Sequence, residues 1–355
     1  MIKCVIWDID NTLLAGTYLE SAGQPPQPEP ELVAVARELG ERGILHALAS
    51  RNPPEAAEYV RQVTGLPFAA AECGWGDKSG AIARIAADLG IGVDTVAFVD
   101  DDMMERAQVA AALPQVLVLA PEDAAEAPAW PEFSPAVLTA EGRRRGELYA
   151  QRRVRQQEAS QFAGSRDEFL RHAGTVVRIG QATGADLDRL HELSARTHQF
   201  NSAGEPVSRD ALAAALGAPG QRLAAAWLSD RFGDDGLVGG VVIEGVQGGG
   251  VADGSRPWRV PLLMMSCRAL GRGVLDALLA WLCAEAAARG AAGLLVPCVI
   301  SDANVPLRLA LATAGFRAAG PRPAAGQQAV FARRLCEPLP VFPDWAVTRP
   351  AEARP

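Results

Sequence analysis

Residues 3–12 read Lys3-Cys4-Val5-Ile6-Trp7-Asp8-Ile9-Asp10-Asn11-Thr12, and within them the apolar run 3–7 ends directly on acids. An unbroken apolar run of this length is the pattern of a strand buried on both faces of a parallel sheet. The carboxylates then follow the strand, at the carboxyl edge where α/β sheets bind ligands. At period two the side chains of Asp8 and Asp10 start on the same side. Phosphoryl transfer to a carboxylate needs a nucleophile, and it needs a second acid to protonate the leaving oxygen. Asp8 suits the first role and Asp10 the second. The competing reading is a strand closed by an Asx turn, with no chemistry.

The pattern continues outward from this stretch. Residues 30–42 read as a helix, 44–49 as a strand, and 53–63 as a helix opening on Pro53. A helix at about 79–89, a strand at 94–99, a helix at about 103–112 and a strand at 115–119 follow. Strands and helices alternating at this pitch predict a doubly wound parallel sheet. Ser50 follows strand 44–49, where its hydroxyl and neighbouring N–H groups can hold a phosphate oxygen. Lys78 stands just before a helix, placed to face a transferring phosphoryl group. Asp100 and Asp101 close strand 94–99, and with Asp8 and Asp10 they offer hard oxygen ligands for Mg²⁺. Each residue alone reads equally as a helix cap or a surface charge; their order along the chain points to a site. Lys3 and Lys78 are the only lysines among 34 basic residues. A lysine kept in so arginine-rich a chain suits a need for a compact point charge.

Residues 121–136 are rich in Pro, Ala and Glu and read as a linker, and 138–171 as a long polar helix. From about 174 a mixed pattern begins: strand, helix, a hairpin around Gly233–Gly236, strand, long helix 273–288, strand 293–299, helix 304–313 and strand 328–333. Residues 245–257 read as a loop. The expected organisation is a first domain over 1–122, a connecting segment over 123–172, an α+β domain over 173–336 and a tail over 337–355.

The 355 residues are 49% hydrophobic and 21% charged, which describes a globular chain with a real core. A net charge of -8 argues against nucleic-acid or anionic-membrane binding, since nothing offsets repulsion from phosphates. Arg143, Arg144, Arg145, Arg152, Arg153 and Arg155 cluster locally and read as a solvated helix face. No two of the six cysteines stand at C-x-x-C spacing, which argues against zinc and for free thiols in a reducing compartment. No signal-like segment or membrane-length apolar run is seen, so a cytoplasmic location is expected.

Asp8/Asp10, Ser50, Lys78 and Asp100/Asp101 resemble the four motifs of the haloacid dehalogenase (HAD) phosphatases. The resemblance implies an aspartyl-phosphate on Asp8. Only 39 residues separate Asp10 from Ser50 and 21 separate Lys78 from Asp100, so neither gap holds a large cap. Residues 268–273, Arg-Ala-Leu-Gly-Arg-Gly, resemble the turn of GNAT acyltransferases, where N–H groups at a helix N-terminus cradle a CoA pyrophosphate. Asn304 and Gly315-Phe316 follow at GNAT-like spacing, but Leu309 and Leu311 stand where a catalytic Tyr is common.

Together the halves resemble the FkbH-like HAD family, the glyceryl-acyl-carrier-protein synthases of polyketide pathways. Supporting stretches include Ala49–Asn52, Trp75 with Lys78, Arg196–Asn201 (with His198 and Asn201), Asp230–Gly236 and Ser266–Gly273. The expected fold is thus a HAD-type doubly wound sheet with minimal cap, followed by a GNAT-like α+β domain. The resemblance implies a three-carbon acid, 1,3-bisphosphoglycerate, passed as glyceryl to the phosphopantetheine thiol of an acyl carrier protein. Cys267, just before the turn, is the candidate acyl carrier and His198 a candidate base. Arg268, Gly271, Arg272 and Gly273 are the expected pantetheine-binding residues. His198, Asp102-Met103 and residues 15–29 depart from the family pattern. The alternatives are a stand-alone phosphatase with a specificity domain, or a non-catalytic carrier-binding module.

Overall fold

The computed structural model describes residues 1–20, 26–135, 137–246, 256–320 and 324–348. Of the predicted loop 245–257, residues 247–255 lie outside the described residues, as do 21–25 of the divergent stretch 15–29. The chain divides into two compact units, Met1–Glu158 and Ala159–Pro355. No described helix is long and apolar enough to cross a membrane.

The first unit alternates β1 (Cys4–Trp7), α1 (Pro30–Glu41), β2 (Leu45–Ser50), α2 (Pro54–Thr64), β3 (Phe68–Cys73), α3 (Lys78–Leu89), β4 (Val96–Val99), α4 (Met103–Ala112) and β5 (Leu117–Leu119). The five strands form one sheet, β3-β2-β1-β4-β5, with every pairing parallel. β1 is buried throughout. Val5 and Trp7 enter one apolar cluster, Cys4 and Ile6 the other, so both faces are covered. The chain runs outward from β1 to β3 and returns on the far side of β1 as β4. This reversal makes the switch-point crevice at the carboxyl ends of β1 and β4.

The structure corrects four expectations here. β3 falls between the helices predicted at 53–63 and 79–89, where no strand was expected; its Phe-Ala-Ala-Ala-Glu-Cys lacks β-branched residues. The expected linker 121–136 begins with α5 (Pro121–Glu126) and two 3₁₀ turns, and Ala124, Ala127 and Phe133 join the core. The single helix expected over 138–171 is three: α6 (Ala140–Arg143), α7 (Arg145–Gln161) and α8 (Arg166–His172). Ser165 starts α8 with a capping box to Glu168. The arginine cluster is not wholly solvated. Arg145 is buried and donates to the carbonyls of Lys3 and Gly43 at 3.2 and 3.1 Å.

His46 on β2 is fully enclosed, and the Trp7 indole donates to its Nδ1 at 3.1 Å. Burial lowers the imidazole pKa from 6.5 to about 4. Above pH 6.5 the ring is neutral in both folded and unfolded chains. As pH falls below that value, the unfolded chain takes up the proton first, and stability is lost until the folded ring titrates. We expect this group to remove about 3 kcal/mol of stability across that window. Urea denaturation at stepped pH checks it: His46→Leu should flatten the acid slope relative to wild type. Parallel slopes would refute it.

The second unit continues with β6 (Val176–Gln181), α9 (Leu187–Arg196), α10 (Arg209–Gly217), β7 (Gln221–Asp230), β8 (Gly233–Glu244), β9 (Trp258–Met265), α11 (Val274–Ala288), β10 (Gly293–Val299), α12 (Val305–Thr313), β11 (Arg317–Ala319), β12 (Gln328–Arg334) and β13 (Ala346–Thr348). They form a mixed sheet, β11-β12-β10-β9-β8-β7-β6-β13. The β7–β8 turn falls at Arg231-Phe232, so Gly233 opens β8. The stretch expected as a tail supplies β13, which pairs parallel with β6.

β9 and β10 run parallel but pair only at Leu294↔Trp258 and Leu295↔Arg259. Beyond that point the segment after α9 enters between them. Ser202 donates its N–H to Leu263 O at 3.0 Å, accepts from Leu263 N on its hydroxyl at 2.8 Å, and accepts from Val299 N on its carbonyl at 2.9 Å. One residue thus bridges both diverging strands.

Candidate active site

Four strand ends and helix starts of the first unit converge on one acidic crevice. The Asp8 N–H continues the sheet by donating to Val99 O at 2.9 Å, which anchors the acid between β1 and β4. The chain then turns through Asn11, whose φ of 48° lies in the left-handed region that asparagine tolerates better than most residues. Asp77 caps α3 by accepting from Gly80 N at 2.9 Å, and so fixes Lys78 at the first helical position. Lys78 is only 5% exposed. Its ammonium lies 3.1 Å from Asp8 Oδ1 and 2.5 Å from Asp100 Oδ2. Asp100 Oδ1 accepts from Asp102 N at 2.9 Å, and Arg106 holds the Asp100 and Asp101 carbonyls at 2.7 and 2.8 Å.

Carboxylate oxygens of Asp8, Asp100 and Asp101 lie within 4.8 Å of one another. Burial pushes all three carboxyls above the usual range. Lys78 opposes this at Asp8 and Asp100, while the Asp8 charge reinforces it at Asp101. Burial also works against the Lys78 ammonium, but Asp8 and Asp100 outweigh it and hold its pKa up. One ammonium does not balance three clustered carboxylates. A hard, all-oxygen donor set with a negative surplus fits a divalent cation such as Mg²⁺.

The Asp10 carboxylate is not among these clustered oxygens. Its Oδ1 accepts from Tyr18 N at 2.9 Å and its Oδ2 from Asn52 Nδ2 at 3.0 Å. Ser50 is buried at the end of β2 and accepts from the same Asn52 amide at 3.1 Å. Asn52 entered the sequence reading only as part of the stretch Ala49–Asn52, with no role of its own. Arg51 pairs with the buried Glu105 at 2.7 Å and ties the β2 loop to α4.

In the second unit, residues 200–201 pair with the end of β9. Asn201 bridges antiparallel to Met264, and Met265 N donates to Phe200 O at 2.9 Å. His198 and Cys267 each stand three residues along the chain from that bridge. His198 is exposed and Cys267 half-buried in a 3₁₀ turn. Asn201 is structural, with its amide donating to the Ser194 and Glu205 carbonyls. Asn304 likewise holds Val299 O and accepts from Ser301 N.

The turn 268–273 has the expected backbone, with Gly271 and Gly273 at φ 77° and 69° before α11. Its two arginines are buried. Arg272 is buried and forms ion pairs with Asp230, at 2.5 Å, and with Asp235. Arg268 is buried and donates to Asp235 O at 3.4 Å. Both guanidiniums have partners within the second unit. The Trp345 ring lies against Gly273 so closely that a Cβ there would overlap it.

No protein-family model matches the chain, and no curated protein matches it. Among solved structures, it is similar to the N-terminal part of a Bacteroides fragilis protein containing a phosphatase domain complexed with Mg. Identity is 26% over 38% of this chain and 39% of that one, with a TM-score of 0.32. It is similar to the deoxy-D-mannose-octulosonate 8-phosphate phosphatase of Haemophilus influenzae, 20% identical over 31% of this chain and 64% of that one, TM-score 0.28. It is also similar to the ribosomal-protein-S18-alanine N-acetyltransferase of Escherichia coli, 16% identical over 45% of this chain and 94% of that one, TM-score 0.34. The chain spans 39% and 64% of the length of the two phosphatase structures.

Proposed function

We propose that the first unit is a divalent-metal-dependent phosphatase working through an aspartyl-phosphate on Asp8. The observation that carries this is the Lys78 ammonium, seated between Asp8 and Asp100 with Asp101 completing an all-oxygen cluster. An Asp8 oxygen attacks phosphorus, and the bond from phosphorus to the ester oxygen breaks. Asp10 gives its proton to the departing oxygen. Water then attacks the phosphorus of the acyl phosphate, Asp10 takes up the proton, and phosphate leaves. Lys78 and the Ser50 region hold the phosphoryl oxygens. Asp8, Asp100 and Asp101 would hold Mg²⁺, which supplies charge neutralisation to the phosphoryl group.

The fuller reading is that the substrate is phosphoglyceryl, derived from 1,3-bisphosphoglycerate, and that the three-carbon acyl unit passes to a carrier-protein thiol. The Cys267 thiolate attacks the acyl-phosphate carbonyl and releases phosphate; the carrier thiol then displaces Cys267. Support comes from the family resemblance. The test is intact-mass spectrometry of a holo carrier protein after incubation with 1,3-bisphosphoglycerate. Wild type should add a glyceryl mass. Cys267→Ala should abolish that addition and the acyl adduct seen by peptide mapping. Undiminished loading by the variant would sink the Cys267 assignment.

A second reading is a stand-alone phosphatase whose second unit shapes specificity. It is favoured by Ser202 filling the β9–β10 divergence and Trp345 covering Gly273. Phosphate release from small esters with no carrier loading by wild type would select it.

A further inference from the structure

We infer that Asn52 is a positioning residue that clamps the leaving-group acid Asp10 to the phosphate-binding hydroxyl of Ser50. The inference rests on the phosphatase reading above, and specifically on Asp10 as the acid. Asn52 is 1% exposed. Its single Nδ2 carries two hydrogens, and the amide donates one toward Asp10 Oδ2 at 3.0 Å and the other toward Ser50 Oγ at 3.1 Å. In this orientation the one amide nitrogen serves both neighbours.

The consequence for Asp10 is that neither of its oxygens is free to swing. The Tyr18 N–H, from the loop between β1 and α1, holds Oδ1 at 2.9 Å. Asn52, from the loop between β2 and α2, holds Oδ2. An aspartate with two rotatable bonds at a half-open position otherwise samples several rotamers, and proton transfer needs one of them. The clamp also ties two functions together. The group that serves the departing oxygen and the group that serves the phosphoryl oxygens share one donor, so their separation is held constant. Asn52 itself need not touch substrate.

The experiment compares two phosphate monoesters. An alkyl ester, glycerol phosphate, leaves as an unstable alkoxide and needs the proton. p-Nitrophenyl phosphate leaves as a stable phenolate and does not. Asn52→Ala should lower kcat on glycerol phosphate by about 10²-fold, the lower range for losing general acid catalysis, and on p-nitrophenyl phosphate far less. Asp10→Asn should show the same split. Added to Asp10→Asn, Asn52→Ala should cost glycerol phosphate turnover nothing further, because residues acting as one unit are not additive. Asn52→Ser keeps a buried donor for one of the two acceptors and should give the same split at smaller size, which covers a poorly folding alanine variant. Equal losses on both esters, or a further loss in the Asp10→Asn background, would overturn the inference. Absence of any split in Asp10→Asn would instead overturn the assignment of Asp10 as the acid.

Discussion

Replacing Asp8 by asparagine is expected to lower Mg²⁺-dependent phosphate release by ~10⁴-fold or more, the scale of removing a covalent nucleophile. The amide keeps the volume and the place between β1 and β4, but it has no anionic oxygen with which to attack phosphorus. The fold should survive, because Lys78 keeps its shorter contact, 2.5 Å to Asp100. Thermal denaturation separates loss of chemistry from loss of structure. Rapid-quench labelling with a ³²P ester should give an acid-stable protein adduct in wild type and none in Asp8→Asn. Turnover in the variant within tenfold of wild type would rule out the covalent route.

Lys78→Arg is expected to be nearly as damaging, about 10²–10³-fold in kcat, although it preserves charge. The ammonium sits in a closed space, flanked by two carboxylates and 5.9 Å from the centre of the Phe98 ring. A planar guanidinium is wider than an ammonium, and it prefers to engage one carboxylate with two nitrogens where Lys78 divides one nitrogen between two acids. An arginine there is expected to abandon either Asp8 or Asp100, and with it the alignment of the nucleophile. Steady-state kinetics on p-nitrophenyl phosphate, with binding of Mg²⁺ followed by calorimetry, checks this. Near-wild-type kcat would make Lys78 a structural counter-charge only.

Much of the site was legible before any coordinates. Asp8, Ser50, Lys78 and Asp100/Asp101 each stand where a strand ends or a helix begins, and a parallel α/β sheet collects such positions at one edge. The clear failures have physical causes. β3 is an alanine-rich strand whose identity comes from its ladder with β2, and no local signal replaces that ladder. Arg145 carries a charge that reads as solvated until its two carbonyl partners, from β1's start and the turn before β2, are known. The partners of Arg272, the Asp230 and Asp235 carboxylates, and of Arg268, the Asp235 carbonyl, lie more than thirty residues away, so no local pattern announces them.

The amino-acid sequence by itself determined the doubly wound character of the first sheet and the set of acids at its edge. These follow from short-range periodicity and from where polar residues interrupt apolar runs. Only the tertiary structure decided how those groups are used. It divided Lys78 between Asp8 and Asp100, turned Asp10 out of the acid cluster onto Tyr18 and Asn52, and filled the gap between β9 and β10 with Ser202. Each of these is a pairing between residues distant along the chain, selected because a buried donor, acceptor or charge must find a partner once water is excluded.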